Sequence, residues 1–234
     1  MASVSPQAPP PPSLGTPPSA EQVFDTISSR YEVAFSGLTP QIASIQWILT
    51  TLASANTKPA KIIDLGCGTG SPVCSTLSEA GHDVLGIDIS SAMIEAARSR
   101  APKARFEKRD TRDFNPGEDV YDVVTIYFSL IAGVSQDEIR GTIKKVYGML
   151  KQGGLFVFAT VPLDAENVDI QWMGNPVTVS SLAHEDIVAT ITGAGFEVVK
   201  EDLSAFTPKG VEAGICKEED VWEETHLFVC AKKA

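Results

Sequence analysis

The stretch KIIDLGCGTGSPV, residues 61–73, constrains the fold of this chain more than any other segment. An apolar run ends in one acid, Asp64, and is followed at once by Gly66, Gly68 and Gly70. Short apolar runs bounded by glycine read as buried strands. Glycines this dense supply positive φ and let a ligand approach the main chain. Ser71 and Pro72 follow, a pair that predicts an N-cap and a first helical residue. A strand, a bare turn and a helix in that order open a wound α/β sheet with a ligand at the turn.

The alternation continues to the end of the chain. DVLGID (83–88), ARFEKRD (104–110), YDVVTIYF (121–128), GLFVFATV (154–161), FEVVKEDL (196–203) and ETHLFVCAKK (224–233) read as strands. SAMIEAARSR (91–100) and HEDIVATITGAG (184–195) read as helices, the second closed by Gly195. Ser135 and Glu138 form a capping box, and the helix they open carries Ile139, Ile143, Val146 and Leu150 on one face. Strands separated by helices imply right-handed crossovers. The predicted fold class is α/β: a doubly wound, mostly parallel seven-stranded sheet with helices on both faces. Ahead of it, residues 24–35 and 38–53 read as two helices, an N-terminal helical lid over about 21–56 of a single domain spanning 21–234. Residues 1–20 hold seven of the fifteen prolines and almost no large apolar residue, which predicts a disordered tail.

Composition narrows the function classes. The net charge is −11 with no basic stripe, so nucleic acid is not expected as a partner. No apolar segment approaches the roughly 20 residues of a membrane span. The start carries no basic-then-apolar leader. Cys67, Cys74, Cys216 and Cys230 form no C-x-x-C pair, so neither a metal site nor a disulfide framework is expected. A cytoplasmic setting follows from these readings.

The second strand ends in Asp88, 22 residues after Gly66, where a carboxylate accepts the hydroxyls of a ribose. The glycine spacing is G-x-G-x-G rather than the dinucleotide G-x-G-x-x-G. An acid before the first glycine repels a pyrophosphate and suits a cation. S-adenosylmethionine, with its ammonium and sulfonium, fits both features.

DLGCGTG, GIDIS, EKRDTRDF, YDVVTIYFSL and LKQGGLFVFAT resemble, in order, the motifs of the class I S-adenosylmethionine-dependent methyltransferases of small-molecule type. The resemblance covers about 21–234. It implies that Asp64 and the backbone of Gly66, Cys67, Gly68 and Gly70 hold the methionine portion. It further implies Asp88 on the ribose, Ile89 against the adenine, and Asp110 and Thr111 on the adenine edge. Tyr127 would border the methyl group and Tyr31 would close the pocket.

The implied function is methyl transfer to an oxygen or nitrogen of a small molecule, in specialised metabolism. The same fold also admits a non-methylation reaction such as cyclisation or isomerisation, a regulatory subunit, or an NAD oxidoreductase. No Asn-Pro-Pro-Tyr follows the fourth strand and no cysteine stands there, against adenine, glutamine or cytosine as acceptors. Acceptor contacts are expected from Tyr127 and from Trp172 and Met173 in the long connection 161–181, where Trp172 reads either as a pocket wall or as a loop anchor. His184 is the first candidate for a base, although its place in the first turn of a helix reads more readily as a solvated residue; Asp164 and Asp169 are alternatives. His82 and His226 read as structural, and the acidic loop around Cys216 as a surface connection. Oligomeric state is not legible.

Overall fold

The computed structural model describes residues 18–234, so most of the proline-rich tail lies outside the described residues. Order begins earlier than residue 21. Ser19 accepts the Gln22 amide and Gln22 returns the bond to the Ser19 backbone, a capping box that opens helix α1, Ala20–Ile27. The single helix expected over 24–35 is two. Ser28, at φ 50, ends α1, and α2 occupies Arg30–Ala34. Arg30 explains the break: its guanidinium donates to the carbonyls of Thr26 (2.7 Å) and Ile27 (3.3 Å), satisfying the last turn of α1, and to Gly214 at 2.8 Å. Helix α3 follows at Thr39–Ser54, with a proline in its first turn.

Seven strands build the main sheet. They are β1 (Lys61–Leu65), β2 (Asp83–Asp88), β3 (Arg105–Lys108), β4 (Tyr121–Tyr127), β5 (Leu150–Thr160), β8 (Phe196–Phe206) and β9 (Glu224–Lys233). Their spatial order is β3-β2-β1-β4-β5-β9-β8, and β9 alone runs antiparallel to its neighbours. Helices α4 (Val73–Glu79), α5 (Ser91–Arg100), α6 (Gln136–Met149) and α7 (His184–Gly193) make the crossovers. Alternate strand residues face opposite layers, as a doubly covered sheet requires. Ile62, Val123 and Val157 pack with α3, α4 and α5; Ile63, Val124 and Phe156 pack with α6 and α7. The strand order reverses between β1 and β4, so the ends of these strands open the crevice where ligands bind in such sheets.

Two connections differ from expectation. Residues 161–181 are not an open loop but contain a hairpin, β6 (Ala165–Trp172) and β7 (Asn175–Ser181). Its two-residue turn places Met173 at φ 44 and Gly174 at φ 72, the left-handed pair that suits a tight hairpin. The acidic loop between β8 and β9 is exposed at Gly214 and over 217–219, as a surface connection should be, but the segment that carries it is anchored to the protein at two points. Its Lys209 amide donates to Ala34 at 2.8 Å, and Ile215 and Cys216 pack on the cluster around Phe35. No described helix is long and apolar enough to cross a membrane, and the described residues hold no cluster that could bind a metal.

Candidate functional site

The glycine loop sits where β1 ends. The amides of Gly66 and Cys67 both donate to Ile87 of β2, at 2.8 and 2.9 Å, which folds the loop back over the neighbouring strand. Gly66 has φ +75, and a Cβ there would stand 2.0 Å from the Ser129 Cβ. Ser129 in turn donates to the Leu65 carbonyl at 2.6 Å. Gly68, at φ +52, faces open space instead.

That space is a cavity of about 480 Å³. Asp64, Gly66, Cys67, Gly68, Asp88, Ile89, Asp110, Thr111 and Tyr127 all line it, as does Tyr31 of α2. Gly70 does not reach it. A Cβ on Gly70 would meet Phe106 at 3.0 Å and Ala97 at 3.3 Å, so that glycine serves the packing of α5 and β3. Ser71 does not cap α4 either; the helix begins at Val73 without a side-chain cap.

Asp64 is 2% exposed. Thr125 donates to its Oδ1 at 2.7 Å and the Cys74 thiol to its Oδ2 at 3.5 Å. Burial pushes the Asp64 carboxyl up to about 6 against these two bonds. Asp88 accepts the amides of Gly68 (2.9 Å) and Ser90 (2.8 Å), and burial raises it as well. Asp110 is gripped by Arg112, whose Nη2 lies 2.6 Å from Oδ2, and that grip lowers its pKa. Tyr127 meets Ser44 of α3 at 2.7 Å; burial raises its hydroxyl far above the usual tyrosine range.

The cavity is lined by five carboxylates, Glu21, Glu32, Asp64, Asp88 and Asp110, and by one cation, Arg112. Glu21 and Glu32 are paired outward with Lys108 and Arg100. Asp64 and Asp88 meet no cation among the described residues. This donor set suits a positively charged ligand with hydroxyls and opposes a pyrophosphate.

A second cavity of about 170 Å³ adjoins the first. Phe24, Tyr31, Phe35, Phe128 and Ala132 line both. Trp172 is both wall and anchor: it lines this second cavity, and its Nε1 donates to Glu224 at 2.9 Å. Met173 lines neither cavity. At 2% exposed it is buried at the hairpin turn, packed with Ala34, Phe35 and Leu38. His184 also lies away from both, at the start of α7, where it pairs with Glu201 at 2.7 Å. Asp164 accepts from Gln136 and Asp169 from Thr178, and neither lines a cavity.

Several residues of the site, lining it or holding a lining residue, escaped the sequence reading. Arg112 stands two residues after Asp110 and needed only its charge to be noticed. Ser44 lies within a helical pattern, and Glu224 at a strand start; nothing in the sequence links them to Tyr127 or Trp172.

The chain matches the methyltransferase-domain family over residues 62–154. Over that stretch and in its fold, the chain is similar to the class I S-adenosylmethionine-dependent methyltransferases. A demethylmenaquinone methyltransferase of Clavibacter sepedonicus is 31% identical over 153 residues, covering 63% of this chain and 61% of that protein. A carboxy-S-adenosyl-L-methionine synthase of Campylobacter fetus subsp. fetus is 30% identical over 148 residues, covering 60% and 58%. The aligned stretches thus span about three fifths of these curated relatives. The magnesium protoporphyrin IX methyltransferase of Synechocystis PCC 6803 with bound S-adenosylhomocysteine shares the fold, with TM-score 0.57, 16% identity and coverage of 82% and 83%. The family's cofactor is S-adenosylmethionine, and the cavity of this chain fits it: unpaired acids for its cationic end, and an open Gly68 where a side chain would intrude.

Proposed function

We propose that this chain transfers a methyl group from S-adenosylmethionine to an oxygen or nitrogen of a small molecule. The observation that carries the reading is the meeting, in one cavity, of the glycine loop, Asp64, Asp88 and Tyr127 at the switch point of the sheet. When bound, the cofactor supplies an electrophilic methyl on a sulfonium whose leaving group is a neutral thioether.

The chain's own residues then have positional work. Asp64 faces the cofactor's ammonium, and Asp88 accepts from the ribose while holding the loop through Gly68. Ile89 and Thr111 flank the adenine, beside Asp110 held by Arg112. Tyr127, kept protonated by burial, orients through its hydroxyl and does not serve as a base. Tyr31, stacked on Phe35 at 4.5 Å, forms part of the lid that excludes water. The described residues that line the second cavity include no lysine, arginine or histidine, which supports a small uncharged or cationic acceptor. Cys67, Cys74, Cys216 and Cys230 are free thiols, which supports a reducing, cytoplasmic setting.

The name of the Campylobacter relative favours a second reading, in which the bound cofactor serves a reaction other than methylation. One experiment separates the two. The purified protein is incubated with S-adenosylmethionine and an acceptor library, and S-adenosylhomocysteine is measured. Acceptor-dependent release is expected. Product formation without it points to the second reading, and binding of NAD in place of S-adenosylhomocysteine overturns both.

A further inference from the structure

The second cavity is apolar and walled by aromatic rings, among them Phe24, Phe35, Trp172 and Trp222. Among the described residues, its only ionisable lining groups are Tyr31 and Glu224. Glu224 is 8% exposed, and both its oxygens are fixed: Trp172 Nε1 donates to Oε1 and His226 Nε2 to Oε2, each at 2.9 Å. His226 is itself fully buried, with its ring against Phe35, Phe128 and Phe206. Burying a carboxylate in an aromatic wall is costly, and a buried histidine and a half-buried tryptophan are committed to holding this one in place. An apolar residue at 224 would line the cavity without that cost.

We propose that the second cavity is the acceptor subsite and that Glu224 selects an apolar, ring-bearing amine. The proposal rests on the methyltransferase reading and deepens it. Aromatic faces attract a cation through their quadrupoles, and Glu224 adds a charged hydrogen-bond acceptor with no competing cation in the wall. A carboxylate- or phosphate-bearing acceptor meets the Glu224 carboxylate with no lysine, arginine or histidine among the described lining residues to pair with, and is rejected. The five lining residues shared with the cofactor cavity put the amine next to the proposed methyl donor. For transfer to its nitrogen, the ammonium first gives a proton to the Glu224 carboxylate, and the freed lone pair then forms the N–C bond as the S–C bond breaks. His226 and Trp172 act through Glu224 as positioning residues.

The test uses the full chain saturated with S-adenosylhomocysteine and three probes with one ring system: tryptamine, 3-methylindole and indole-3-acetate. Binding is read by calorimetry. Tryptamine is expected to bind about tenfold tighter than 3-methylindole, and indole-3-acetate more weakly than either, the scale of one charge-assisted contact. Glu224→Gln keeps the shape and removes the charge; it should bring tryptamine and 3-methylindole to within about threefold while leaving S-adenosylhomocysteine affinity unchanged. Trp222→Ala, at an exposed ring of the cavity wall, should weaken both of those probes alike. The proposal is overturned if tryptamine does not bind, if the acid binds as well as the amine, or if the amine preference survives Glu224→Gln. An unaltered probe affinity in Trp222→Ala also overturns it. If wild type fails to bind S-adenosylhomocysteine, the methyltransferase reading falls and takes this proposal with it; loss of amine selection alone removes only the proposal.

Discussion

Asp88 accepts the Gly68 amide at 2.9 Å, so the acid at the end of β2 holds the crest of the glycine loop. Its other oxygen takes the Ser90 amide at the start of α5. A ribose diol would use the lone pairs that remain. Asp88→Ala therefore removes two kinds of contact, one to the ligand and one within the protein. Calorimetry should show S-adenosylhomocysteine weakened by about tenfold or more, at roughly 1.5–3 kcal/mol per charge-assisted bond. With a 2′,3′-dideoxy analogue the loss should shrink without vanishing, because the loosened loop still penalises binding. An identical loss for both ligands would show that Asp88 serves only the loop.

Asp64 gives the site a pH signature. Its carboxyl is raised by burial to about 6, from 3.8 for an aspartate in open solvent. Between those values the folded chain holds a proton that the unfolded chain has released, so this residue's contribution to stability falls as pH rises through that window, by on the order of 3 kcal/mol. A cationic ligand reverses the preference and favours the ionised acid. S-adenosylhomocysteine affinity should therefore decline as pH falls below about 6, with proton uptake by the buffer on binding. Asp88, also raised by burial, works in the same direction. Urea melts and calorimetry of wild type against Asp64→Asn, at several pH values, isolate the Asp64 share. A pH dependence unchanged in the variant would assign the effect elsewhere.

Ser44 and Tyr127 tie the lid to the sheet. The Ser44 hydroxyl donates to the Gln41 carbonyl at 2.8 Å, so its single proton is used and Tyr127 must be the donor across the 2.7 Å contact. Tyr127→Phe removes that donor at a cost of about 1 kcal/mol, whereas Ser44→Ala leaves a buried hydroxyl without an acceptor and costs about 1–3 kcal/mol. For a chain of this size each kcal/mol moves Tm by about 2–4 °C. The double variant should lose less than the sum of the two, and strict additivity would mean that the bond is absent in solution.

Legibility followed locality. Strands β1, β2 and β9 and helix α5 begin and end where the apolar pattern and flanking polar residues put them. The hairpin at 165–181 was hidden although Val168, Ile170 and Trp172 alternate with polar neighbours. Its turn is Met173-Gly174 rather than an asparagine–glycine pair, and Pro176, which pairs with Gln171, is a residue that strands seldom carry away from an edge. The acids before and after the glycine loop were legible because one strand–loop–strand unit carries them. Glu224 was not, because Trp172 lies 52 residues away in sequence and only the hairpin's return over the lid brings the two together. His184 was misleading for the converse reason: a histidine after a long connection draws attention, but the chain direction there leads it to Glu201 and away from the cavity.

Two glycines in one loop should behave in opposite ways. Both have positive φ, +75 at Gly66 and +52 at Gly68, so an alanine is strained at either by roughly 1 kcal/mol or more. At Gly66 the new methyl would also stand 2.0 Å from the Ser129 Cβ, and Ser129 is held by its bond to Leu65. Neither backbone can retreat without breaking the pairing of β1 or the turn after β4. Gly66→Ala should therefore lower stability by several kcal/mol, or prevent folding, with or without ligand. At Gly68 the methyl enters open space within the cavity. Gly68→Ala should fold, with Tm lowered by only a few degrees. Its S-adenosylhomocysteine affinity should fall about tenfold or more, because the methyl occupies the ligand's approach to the main chain. Thermal melts with and without S-adenosylhomocysteine distinguish the two: ligand should raise Tm strongly for wild type and little for Gly68→Ala. Full ligand stabilisation of Gly68→Ala would mean that the ligand does not contact the loop at that point.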